Sequence, residues 1–160
     1  MAEVSRRAGV GMATLYRNFP GRRELLEALY TDEVDVICKA AEALKGEPPG
    51  PALFAWLGHV FAFFTSKRQV GVELLRHSES GNPFFSQNRD RVMAAGQPLL
   101  IAARRAHEVR EDLQLEQVLD MVSAIAKIDG DPGYVQPILQ SALDGLRPQL
   151  PSGPRRTATD

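Results

Sequence analysis

Apolar residues recur along this chain at helical spacing. Leu25, Leu26, Leu29, Val36, Ile37, Ala40 and Leu44 fall on one side of a helix over about 22–45. Leu53, Leu57, Val60, Phe61 and Phe64 make a stripe on a helix over about 51–66, with Phe54, Trp56 and Phe63 apolar elsewhere on it. Leu115, Val118, Leu119, Val122, Ile125 and Ala126 mark a helix over about 115–127. Val135, Ile138, Leu139, Ala142, Leu143 and Leu146 mark one over about 134–147. Between these lie a short helix over about 68–78 and a long one over about 84–107. Two short helices, about 2–8 and 12–18, stand in front. Sustained period-2 alternation and Asn-Gly or Asp-Gly hairpins are missing, so the fold class is all-α, with about eight helices.

Breakers set the boundaries. Pro20-Gly21 stops the second helix and "KGEPPGP" closes the third. Pro51 opens the fourth, where its fixed φ suits a first turn. "SESGNP" and "EVRED" read as connections, and "DGDPG" breaks the chain before the last helix. Pro98 predicts a kink near Ala94–Gln97. Pro137 places regular geometry in the last helix near Tyr134 or later. From Pro148 the chain is Pro-rich and apolar-poor, which predicts a disordered tail over 148–160.

Composition narrows the class. The 160 residues fit one domain, or one with a small appendage. Cys38 is alone, so no internal disulfide forms and a reducing compartment is implied. No leader-like apolar stretch follows Met1, and "LFAWLGHVFAFF" is too short to span a bilayer. The expectation is a soluble, cytoplasmic chain without membrane contact. Net charge is −1, yet residues 1–30 carry Arg6, Arg7, Arg17, Arg22 and Arg23 against Glu3, Glu24 and Glu27. A basic end on a mildly acidic body suits contact with a polyanion at that end, although ordinary surface charge accounts for it equally well.

The front two helices, joined by "AGVG", read as a helix-turn-helix. Such a motif lays its second helix in the major groove of DNA. Leu15 should face inward with Val10 and Phe19, while Val4 and Ala8 line the partner helix. That leaves Met12, Ala13, Thr14, Arg17 and Asn18 outward. The hydroxyls of Thr14 and Tyr16 suit phosphate oxygens, and Arg17 and Asn18 suit base edges or phosphates. Gly21 and Arg22 open the next helix, where free N–H groups and the helix dipole favour an anion.

The stretch "EVSRRAGVGMATLYRNFPGRRELLEALY" resembles the TetR family of one-component transcriptional regulators, through the pattern AGV-x-x-x-TLY-x-x-F-x-x-[KR]-x-x-L. The resemblance implies phosphate contacts at Thr14 and Tyr16. It puts Arg22 where the family usually has a backbone-contacting lysine, and Met12, Ala13 and Arg17 at base-reading positions. Gly11 stands where the family usually has a serine-like cap, which glycine replaces at small cost. Members carry a complete helix ahead of the motif, so the resemblance implies a start upstream of Met1, or weakened DNA binding. Apolar side chains left uncovered there would each lose about 1.5–3 kcal/mol.

The expected organisation is a partial DNA-binding domain over 1–30, running into a connecting helix over about 22–45. A ligand-binding and dimerisation domain over 46–147 follows. "AWLGHVFAFFTSKRQVGVELL", "EVREDLQLEQVLDMV" and "YVQPILQSALDGLRP" resemble one actinobacterial-type subgroup of such domains. A helix that is apolar nearly all round is either plain core or lines a cavity. On the second reading Trp56, Val60, Phe63, Leu74, His77 and Phe85 are pocket candidates. The last two helices suggest an isologous dimer through Val118, Val122, Ile125, Ile138, Leu139, Ala142 and Leu146. His59, His77 and His107 are scattered, and only Glu73 and His77 share a helix face, so no metal site, cofactor or enzyme is expected. The functional expectation is a homodimeric regulator. It is a repressor that a small apolar effector releases from a pseudo-palindromic double-stranded DNA operator. The alternative is a dimeric small-molecule-binding helical protein that has lost DNA binding.

Overall fold

The computed structural model describes residues 1–76 and 83–148. They form eight helices and, among the described residues, no strand. In chain order these are α1 (Ala2–Ala8), α2 (Met12–Asn18), α3 (Arg22–Ala43), α4 (Pro49–Ser66), α5 (Arg68–Arg76), α6 (Phe84–Arg105), α7 (Leu115–Ala126) and α8 (Pro132–Asp144). The all-α expectation therefore holds. The expected tail lies outside the described residues apart from Pro148.

Helix α4 is the hub, touching α3, α5, α6 and α7. Its residues Leu53, Trp56, Leu57 and Val60 are completely buried, as a helix enclosed on most sides requires. Trp56 crosses the interior, and its indole Nε1 donates to the carbonyl of Ile37 in α3 at 3.2 Å. On the other side the ring lies against Gly96 of α6, where any Cβ would overlap it. A glycine inside a helix costs about 1 kcal/mol relative to alanine, and here it makes room for the indole.

Two helix starts differ from the sequence-based expectation. Helix α4 begins at Pro49, not Pro51, because proline at a first helical position has no N–H to lose. Helix α8 begins at Pro132, ahead of Pro137, because Asp131 caps it: its Oδ1 accepts from the Tyr134 N–H at 3.0 Å. Pro137 then forfeits one internal bond and the helix continues. Asp131→Ala should lower the unfolding free energy by about 1 kcal/mol in equilibrium urea denaturation, and an unchanged midpoint would remove the cap from the account. Helix α6 runs from Phe84 to Arg105 through Pro98. A reciprocal capping box opens α7, in which Gln117 Oε1 accepts from the Gln114 N–H at 2.7 Å.

Short helix α5 runs back along α3. Lys67, just before it, pairs with Glu33 at 2.9 Å, and Gly71 abuts the Tyr30 ring. Helices α1 and α2 pack on each other at the far end of α3, away from the core built around α4.

Candidate functional site

The turn between α1 and α2 is fixed by its own hydrogen bonds. Gly9 sits at φ 67°, a left-handed conformation that side-chain-bearing residues rarely adopt. The Val10 N–H donates to the Ser5 carbonyl at 3.2 Å, and the Ser5 hydroxyl donates to the Val10 carbonyl. Ser5 is buried by this exchange, and the crossing of the two helices follows from it.

On α2, Leu15 alone is buried, at 6% exposure. Met12, Ala13, Thr14, Tyr16, Arg17 and Asn18 are exposed. One buried anchor and an open polar face are what a helix entering a groove requires. Asn18 differs from expectation, because its amide already donates to the Thr14 carbonyl at 2.9 Å. The inward cluster expected around Leu15 is also thinner. Val4 and Val10 are 42% and 41% exposed, Ala8 is exposed and Phe19 is half-buried. In so short a motif, Leu15 and Ser5 fill the space between the helices.

The arginines of this end have distinct partners. Glu3 accepts from Arg6 at 2.8 Å and from Arg7 at 2.7 Å, and these bonds hold its carboxyl below the usual range. Arg23 pairs with Glu27 at 2.8 Å. Arg22 reaches across to Glu73 of α5 at 3.2 Å. Arg17 has no acidic partner among the described residues. The opening turn of α3 has an extended Gly21 as its cap and Glu24 in its first turn. One Glu24 carboxylate oxygen lies 2.7 Å from where a Cβ on Gly21 would stand. The expected anion seat thus has two of the chain's own carboxylates beside it.

The second feature is an aromatic-walled cavity of about 410 Å³ among α3, α4, α5, α6 and α7. Tyr30, Phe63, Phe64, Val72 and Phe85 form its apolar wall, with Lys67, Ser123 and Lys127 also lining it. The Tyr30 ring contacts Phe63, Phe84 and Phe85 at centroid distances of 5.2, 5.5 and 5.6 Å. Burial pushes the Tyr30 phenol above its ordinary pKa. A smaller cavity of about 200 Å³ lies behind the same aromatic wall and extends to Asn88, Val92 and Leu119. Together they give an apolar site with a few polar groups, the usual character of a small-molecule pocket.

Comparison with known proteins decides the family. A family profile described as bacterial regulatory proteins, tetR family, matches residues 1–29. A second profile, the C-terminal domain of SbtR-like transcriptional regulators, matches residues 48–148. The chain belongs to the TetR family of transcriptional regulators. A TetR transcriptional regulator from Streptomyces coelicolor is 33% identical over 92% of this chain and 86% of its own, with a TM-score of 0.75. A TetR transcription regulatory protein from Mycobacterium vanbaalenii is 28% identical over 91% of this chain and 81% of its own, with a TM-score of 0.69. No curated protein matches at comparable stringency.

In this TetR family member, Phe63 and Phe85 are the two pocket candidates among the described residues that line the cavity. Trp56 and Val60 lie in solid core, and Leu74 is buried away from the opening. His77 lies outside the described residues. Helical wheels show which faces are apolar but not which apolar face lacks a neighbour. Periodicity does not single out Tyr30, Phe64 and Val72 for that reason, and the spacing of Tyr30 from Phe63 gives no hint of contact. His59 and His107 are exposed and apart, and no metal-binding group of acidic, His and Cys side chains forms among the described residues. No described helix is long and apolar enough to cross a membrane.

The predicted dimer residues lie mostly inside the single chain. Val118, Val122, Ile125, Leu139 and Leu146 are buried within a single chain, where α7 and α8 pack on each other and α7 packs on α4 and α6. They cannot form an outer face. Ile138 and Ala142 stay half-exposed, in line with Tyr134, which is 60% exposed. The amphipathic stripes of both helices were consumed by the monomer core.

Proposed function

We propose that this TetR family regulator is a ligand-responsive repressor that binds DNA as a homodimer. Helix α2 enters the major groove of each half of a pseudo-palindromic operator. Thr14, Tyr16 and Arg22 hold phosphates, and Met12, Ala13 and Arg17 face the bases. The observation that carries the reading is the exposure of every residue of α2 except Leu15. A small, largely apolar effector occupies the cavity walled by Tyr30, Phe63, Phe64 and Phe85. It favours a conformation in which the two reading heads are wrongly spaced, and its differential affinity for the two conformations sets the extent of release. The dimer forms through the outer edge of α8, along Tyr134, Ile138 and Ala142. Residues 1–30 with α3 serve as reading head and connector, and 46–147 hold the ligand and the partner subunit.

Fluorescence anisotropy with duplex DNA from upstream of the protein's own gene tests the reading. Binding should weaken steeply with salt. Tyr16→Phe and Arg22→Ala should weaken it on all sequences alike, and Arg22→Ala should reduce the salt slope by about 1. Unchanged affinity in both variants would remove the phosphate assignment. Absence of salt-sensitive binding by the parent protein would leave a helical small-molecule-binding dimer instead. Higher reporter expression without the protein, restored to low levels with it, would establish repression.

A further inference from the structure

Arg22 has two claims on it. In the reading above its guanidinium meets a DNA phosphate, whereas in the structure its Nη2 lies 3.2 Å from a Glu73 carboxylate oxygen. The arginine side chain is 68% exposed and Glu73 only 22%. The acid is therefore held by its surroundings, and the cation is the partner free to swing. Glu73 stands beside Val72, which lines the cavity, and two residues after Gly71, which abuts Tyr30. One short helix thus carries both a cavity wall and the counter-charge of the proposed DNA contact.

We infer that Glu73 is a positioning residue that competes with the DNA backbone for Arg22 and so sets the regulator's affinity for DNA. This rests on the reading of Arg22 as a phosphate contact. A carboxylate beside the guanidinium cancels its charge and repels an approaching phosphate. Arg22 must leave Glu73, or share it, before it neutralises the backbone. Movement of α5 toward α3 strengthens Glu73's hold, and movement away frees the arginine. Because the pair is largely exposed on one side it adds little to folding, so its loss should register in DNA binding.

The test is a double-mutant cycle in the full chain. Parent, Glu73→Gln, Arg22→Gln and the double variant are titrated across salt concentrations against two fluorescein-labelled duplexes. One duplex is enriched by the parent protein from a random-sequence pool, and the other is of unrelated sequence. Glu73→Gln should tighten binding about two- to fivefold on both duplexes, the size of an exposed charge pair, and steepen the salt dependence by up to about 0.9 in slope. In the Arg22→Gln background the same change should do nothing. Glu73→Ala, with helix content followed by circular dichroism, guards against a local packing effect of the glutamine. If the parent protein shows no salt-sensitive binding, the DNA reading itself fails, and this inference with it. If the parent binds and Arg22→Gln weakens it, yet Glu73→Gln is neutral, weakening, or equally tightening in both backgrounds, only the competition is overturned.

Discussion

Trp56→Ala should lower the unfolding free energy by about 3–5 kcal/mol, the range for truncating a fully buried large aromatic side chain. The indole is completely buried, bonded to the Ile37 carbonyl and seated against Gly96. Its removal empties the middle of the α3–α4–α6 contact and takes away the second donor to that carbonyl, which keeps its bond within α3. Equilibrium guanidinium denaturation measures the loss, and a change below about 1 kcal/mol would mean that the neighbouring helices collapse into the space. The complementary change, Gly96→Ala, pushes a methyl into the ring. Helix propensity alone would favour alanine by about 1 kcal/mol, so the sign of the measured change separates propensity from packing, and packing should win.

Arg17→Ala should alter which sequence is bound more than how tightly DNA is bound in general. Arg17 is exposed on α2 and lacks an acidic partner among the described residues, unlike the paired Arg6, Arg7, Arg22 and Arg23. Its guanidinium is therefore the one of the five least encumbered for a base edge. A bidentate contact to guanine discriminates by about 1–3 kcal/mol against the wrong base, some five- to 150-fold. Competition between the preferred duplex and single-base variants should show that discrimination vanish at one position per half-site. A uniform loss across all variants would make Arg17 a phosphate contact instead.

The DNA-facing end was legible in the sequence because its determinants are local. A glycine in a left-handed turn, one buried leucine and a proline stop all act within a few residues, so α1 and α2 begin and end where expected. The cavity end was legible only as a class of element. Periodicity placed α4 and α7, but whether Trp56 or Tyr30 borders empty space depends on where five helices meet. The expected dimer stripe meets a related limit. An apolar stripe records that a face is buried without recording by what, and Val118, Val122 and Leu139 are covered by their own chain. Glu73 shares a helix face with His77 in the sequence, yet the structure pairs it with Arg22, which no local pattern connects to it.

The Trp56 bond to Ile37 has a mechanical meaning. Helix α3 is a single rod of 22 residues, gripped toward its C-terminal end at Ile37. At 1.5 Å per residue, Tyr30 at the cavity lies about 10 Å from that grip, and Arg22 at the head about 22 Å. Were the rod to tilt about Ile37, each ångström of travel at Tyr30 would become roughly two at Arg22. The cavity would then act on the short arm of a lever and the DNA clamp on the long one, so a ligand need only nudge a ring to carry the clamp off a phosphate.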